Sequence, residues 1–201
     1  MNRLAEEDDD LRRAGSLCLD EEDVFTWPDP VPLRRRVGLV GDRPVLFRGS
    51  LFDNVAFGLR VVGLDERECA RRVEQALRRV DLWEALGPRL DRLATDLPAG
   101  DRQRLCLARA LALDPDVLLL DQPSRRLDPV ATAALEEVIL RLRTSCTVLL
   151  STHDLQQAGR LADVTAFLDR GTVVEAGPTE DLFTRPRDPA TEAYLSRRYV
   201  Q

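Results

Sequence analysis

The chain has 201 residues, 44% of them apolar, enough for one full domain with a sizeable core and a smaller lobe. Its formal charge is −6, from 29 basic and 35 acidic residues, and every basic one is an arginine, since the sequence holds no lysine. That balance argues against a nucleic-acid partner, which calls for a basic face. No apolar run reaches the roughly 20 residues of a membrane-spanning helix, and the acidic start from Met1 to Asp10 is unlike a secretory signal.

In chain order, Gly15 to Val24 alternates apolar and polar side chains and predicts an edge strand. The proline-rich stretch Trp27 to Pro32 breaks the chain before Leu33. Val37 to Val40 reads as a strand leading into a loop, Gly41 to Gly49, after which Ser50 to Gly58 begins helical periodicity. Glu66 to Val80 spaces Cys69, Val73, Ala76, Leu77 and Val80 on one helical face and arginines on the other. Gly87-Pro88 ends that helical stretch or the next one. Leu105 to Leu113 predicts another helix, stopped by Asp114-Pro115.

Val117 to Leu120 and Thr147 to Ser151 read as buried parallel strands. Between them Pro129 to Leu142 predicts a helix with Asp128 as N-cap and Pro129 at its first position. Strand, helix and strand in that order form a βαβ unit. Phe167 to Asp169 and Thr172 to Glu175 predict a hairpin across Arg170-Gly171, and Thr179 to Phe183 opens a final short helix. Cys18, Cys69, Cys106 and Cys146 lie far apart, with His153 the one imidazole, so reduced, partly buried thiols are expected rather than a zinc site.

Val117-Leu118-Leu119-Leu120-Asp121 puts an aspartate at the carboxyl end of a strand, where open α/β sheets bind ligands and where magnesium could be held through water. A strand ending in aspartate is common, and such a residue often caps a helix or turn instead. The extended string carries more. VLLLDQPSRRLDP, from Val117 to Pro129, resembles the Walker B and D-loop stretch of an ATP-binding-cassette (ABC) ATPase. LPAGDRQRLCLARALALDPD, from Leu97 to Asp116, resembles the family's LSGGQ signature and its helix, and STHD, from Ser151 to Asp154, its switch-histidine loop. RRRVGLV, DNVAFGLR, QQAGRLAD, AGPTEDLFTRPRD and TEAYLSRR are similar to the phosphate-importer branch.

The resemblance implies an α/β fold, a parallel sheet like that of P-loop NTPases with a helical subdomain. It divides one cassette over 1–201 into an N-terminal remnant, 1–49, a helical subdomain, 50–113, and a core, 114–201. It implies ATP and magnesium as cofactors, with membrane permease subunits and a second ABC subunit, identical or different, as partners. Such a protein is cytoplasmic and peripheral on the inner face of the cell membrane. The resemblance also implies the site: Asp121 for magnesium; Gln122 and His153 in the catalytic places; Asp42, Pro98, Ala99, Gly100, Asp101 and Asp128 around the nucleotide.

Several of these positions depart from the family's pattern. G-x-x-x-x-G-K-[ST], whose amides and lysine hold the phosphates, is expected to precede Met1, and no lysine substitutes for it. Gln122 stands in place of the catalytic glutamate, so the shape remains without the charge. Asp42 stands in place of a glutamine. Pro98 removes a hydroxyl and an amide donor, Ala99 restricts the backbone, and Asp101 adds a carboxylate near an anion site. Arg125-Arg126 stand where small residues are usual. Two functions are therefore expected of this chain: a degenerate ATP-binding subunit that does not hydrolyse ATP by itself, or a structural or regulatory cassette docking on a competent subunit.

Overall fold

The computed structural model describes residues 2–4 and 14–199, the last three as backbone alone. Of the acidic start, Met1 and residues 5–10 lie outside the described residues. The chain forms two units, Met1–Ser151 and Thr152–Gln201.

The first unit opens with a small antiparallel hairpin, β1 (Cys18–Leu19) and β2 (Glu22–Asp23), rather than the single edge strand expected over Gly15 to Val24. Asp20 and Glu21 both take positive φ, 50° and 68°, which lets a two-residue turn reverse the chain. The proline-rich stretch is a helix start as much as a break: α1 (Pro30–Arg36) begins inside it, with Pro30 at its first position and Asp29 as N-cap. Then come β3 (Val37–Val40), the loop Gly41 to Gly49, and the helices α2 (Leu51–Val61) and α3 (Glu66–Arg79). A short α4 (Trp83–Leu86) runs into a 3-10 turn at Gly87–Arg89. The next helix, α5 (Ala99–Leu111), starts six residues before the expected Leu105, since the stretch after Pro98 is already helical. Finally β4 (Val117–Asp121), α6 (Pro129–Leu142) and β5 (Thr147–Ser151) make the βαβ unit.

β3, β4 and β5 lie side by side in that order, both pairings parallel. Leu118 and Leu120 are buried, and Gly38 of β3 lies against Ala110 of α5, so this face packs on helix. The other face is covered at one end, where Val37 and Val117 meet Val24 and Leu33. Farther along, Leu39, Leu119 and Leu149 share one register row, and Leu39 and Leu149 remain 43% and 55% exposed. β5 is thus not the buried strand expected. It pairs on one side alone among the described residues, and its Thr147, Leu149 and Ser151 side chains lie on a sheet face that is left exposed.

In the helices α2, α3 and α5, the apolar stripes face one another. Val55, Leu59, Cys69, Val73, Leu77, Leu105 and Ala108 are fully buried between them. α2 starts in a capping box: Ser50 Oγ accepts from the Asp53 amide at 3.0 Å, and Asp53 accepts from the Ser50 amide at 3.1 Å. The Ser50 hydroxyl first, then the Arg60 guanidinium, hold the Asp53 carboxyl down to about 2.

In the second unit α7 (Leu155–Leu161) is capped by Asp154, whose Oδ1 accepts from the Gln156 and Gln157 amides. β6 (Val164–Asp169) and β7 (Thr172–Pro178) form the expected hairpin, longer than its sequence pattern. Arg170 and Gly171 turn it with φ of 48° and 79°. α8 (Thr179–Thr184) follows but is not the final helix expected: Pro189 starts α9 (Pro189–Tyr199), whose Tyr194 stacks on Phe167 with ring centres 4.7 Å apart. Among the described residues no helix is long and apolar enough to cross a membrane.

Two outcomes follow. Leu118→Ala should cost about 2–5 kcal/mol in urea unfolding, as for other filled core sites, whereas exposed Leu149→Ala should change stability little; equal losses would place the core elsewhere. Asp53 has its folded pKa depressed, so its stabilising effect is full above the ordinary carboxylate range and is lost as pH falls towards 2. The stability gap between the native chain and Asp53→Asn, measured by chemical unfolding, should therefore close between pH 5 and pH 2.

Candidate functional site

The carboxyl ends of β3, β4 and β5 point the same way because the sheet is parallel, and the polar residues gather there. Asp121 and Ser151 are register partners at the ends of β4 and β5. The Ser151 hydroxyl donates to Asp121 Oδ1 at 2.5 Å. Gln122 follows with φ of 46°, a left-handed backbone that costs a non-glycine residue about 1–2 kcal/mol. Its amide donates to the Ser151 carbonyl at 3.1 Å, and its own carbonyl accepts from the Arg125 amide at 3.1 Å. The turn is held from both sides.

Asp42, two residues past β3, pairs with Arg126 Nε at 3.3 Å. Asp101 pairs with Arg104 Nη2 at 2.7 Å one turn along α5. Both carboxylates, expected to add bare negative charge, thus have guanidinium partners within the chain. The Asp42 pair spans 84 positions and leaves no local trace, whereas Asp101 and Arg104 stand at the three-residue spacing that pairs side chains on a helix.

Pro98 precedes α5 and supplies no side-chain cap, so the first-turn amides of Ala99, Gly100 and Asp101 meet no capping side chain. Gly100 lies against the start of α6: a Cβ built there would come within 2.8 Å of Ala131 Cβ. Asp128 caps α6, its Oδ1 accepting from the Ala131 amide at 2.8 Å. Pro98 to Asp101 and Asp128 are thereby brought to one place. His153 belongs to the second unit, one residue before the α7 cap Asp154, and is exposed.

Three residues of the site escaped the sequence reading. Ser151 stands at the end of a strand and at the start of the STHD stretch, and nothing local announces its bond to Asp121. Gln103 is 1% exposed and donates from Nε2 to the Gly41 carbonyl at 2.8 Å, tying α5 to the end of β3. Its Oε1 has no hydrogen-bond partner among the described residues. Gln103 stands in register with Leu107 and Leu111 on the apolar stripe, a position where a polar residue signals a buried bond. Arg109 Nη2 donates to the Val45 carbonyl at 2.8 Å and its guanidinium lies 4.4 Å from the Phe47 ring centre.

For ATP and magnesium, the chemistry of these residues fits in part. Asp121 keeps one oxygen beyond its bond to Ser151, and the α5 start offers amides. The cationic half does not fit: no lysine and no phosphate-cradling glycine loop stand in these 201 residues, and Arg126 and Arg104 are engaged by Asp42 and Asp101. No group of three or more His, Cys, Asp or Glu side chains among the described residues could hold a metal ion. Burial pushes the Cys69, Cys106 and Cys146 thiols up, away from reactive thiolate, while Cys18 is exposed.

A parallel three-stranded sheet, a helical lobe and polar groups at the carboxyl ends of the strands define an α/β nucleotide-binding type of fold. The profile of the ABC transporter family matches residues 3–125, well over half of the chain, and the chain belongs to that family. It is also similar to the solved structure of cbiO1 from Clostridium perfringens, described as part of the ABC transporter complex cbiONQ. That likeness has a TM-score of 0.77 at 25% identity, and covers 92% of this chain and 74% of the other. It confirms the α/β cassette fold.

Gly100→Ala tests the approach of α5 to α6. The added methyl should cost about 1–3 kcal/mol by overpacking, against a smaller gain in helix propensity. A net stabilisation in chemical unfolding would show that the contact yields.

Proposed function

We propose that this chain is an ATP-binding-cassette subunit of a phosphate-type importer, and that by itself it does not hydrolyse ATP. The observation that carries the reading is Gln122, at the carboxyl end of β4 beside Asp121, where the resemblance expects glutamate. An amide keeps the shape and the accepting carbonyl of a carboxylate but cannot take a proton. His153, Asp42, Pro98, Ala99, Gly100, Asp101 and Asp128 fill the remaining nucleotide-facing places in this reading, with Asp121 towards magnesium. The 50–113 segment serves as the helical subdomain between 1–49 and 114–201.

Bound ATP would supply the phosphoryl group whose loss drives the cycle in this family. The residues present offer amides at α5 and one carboxylate at Asp121, without the charge that neutralises a triphosphate. Positioning and charge stabilisation carry nearly all of phosphoryl-transfer catalysis, so turnover fails here for want of both. The natural partners are membrane permease subunits and a second cassette, on the cytoplasmic face of the membrane. That cbiO1 is itself part of a transporter complex supports such an assembly.

A second reading, a structural or regulatory cassette that docks on a competent ATPase, draws on the Asp42–Arg126 pair. The charges are satisfied inside the chain rather than held open for a nucleotide.

In a phosphate-release assay with magnesium and ATP, the chain should show no turnover above background, and Gln122→Glu should not rescue it. Turnover by the unmodified chain that disappears in His153→Ala would reveal a working site and end this proposal.

A further inference from the structure

We draw no further inference here: the strongest candidate, the exposed apolar row of Leu39 and Leu149 on one face of the β3–β4–β5 sheet, carries nothing because nothing in the structure shows what covers it.

Discussion

Helix α5 reaches the start of α6 because position 100 carries no side chain, with a built Cβ falling 2.8 Å from that of Ala131. This close approach sets the rest of the first unit. It lets Leu105, Leu107, Ala108 and Leu111 of α5 be buried at once among α2, α3, α6 and β3. It also brings Gln103 within reach of the Gly41 carbonyl, so the helix is tied to the end of β3 by a buried bond. The orphaned Gln103 Oε1 is the cost of that placement, on the order of 1–3 kcal/mol for a buried unsatisfied acceptor. The apolar burial around it is the larger effect: each filled leucine site contributes about 1.5–3 kcal/mol.

An arginine-only chain handles its charge differently from one with lysine. Guanidinium stays charged at all relevant pH, presents a planar fork and is more weakly hydrated, so it forms fixed pairs with nearby carboxylates. Asp42 with Arg126 and Asp101 with Arg104 are such pairs, the first joining the loop after β3 to the turn before α6 and the second lying within one turn of α5. The consequence is electrostatic closure. These residues offer cations already matched to carboxylates.

Elements whose information is local were legible in the sequence. The stripe Cys69, Val73, Ala76, Leu77 and Val80, the cap Asp128 with Pro129, and the turn at Arg170-Gly171 each rest on residues within a few positions of one another, and the structure holds all of them. The parallel pairing of β4 with β5 was legible for the same reason, as a βαβ unit. What escaped depends on separation along the chain. The burial expected of Thr147 to Ser151 is a property of what covers the sheet face, not of TVLLS itself, and Leu149 stands on a face left exposed. The ion pairs at Asp42 and the bond from Ser151 to Asp121 span 84 and 30 positions, beyond any periodicity. α5 began early because Pro98, read as a lost donor, is also a good residue to precede a helix: its fixed φ and missing N–H cost nothing where the amides are unpaired anyway.

The loop from Gly41 to Gly49 shows what this arrangement means for motion. Its start is held by Gln103 through the Gly41 carbonyl, its middle by Arg109 through the Val45 carbonyl, and its end by Asn54. Asn54 is buried, accepts from the Phe47 amide at 2.8 Å and donates to the Phe47 and Ser50 carbonyls at 3.1 and 2.9 Å. Phe47 itself packs on Phe57 of α2 with ring centres 4.6 Å apart. A loop anchored only at its two ends can shift by itself, but one bonded along its length to α5 and α2 can shift only if those bonds break or the helices move with it. Breaking three or four hydrogen bonds together costs several kcal/mol at about 1 kcal/mol net each, more where a buried group is left unpaired. Moving α2, α3 and α5 as one packed body disturbs none of them. A force applied to this loop is therefore transmitted to the helical lobe as a whole, and through the Gly100 contact to the start of α6, where Asp128 and the turn carrying Gln122 stand.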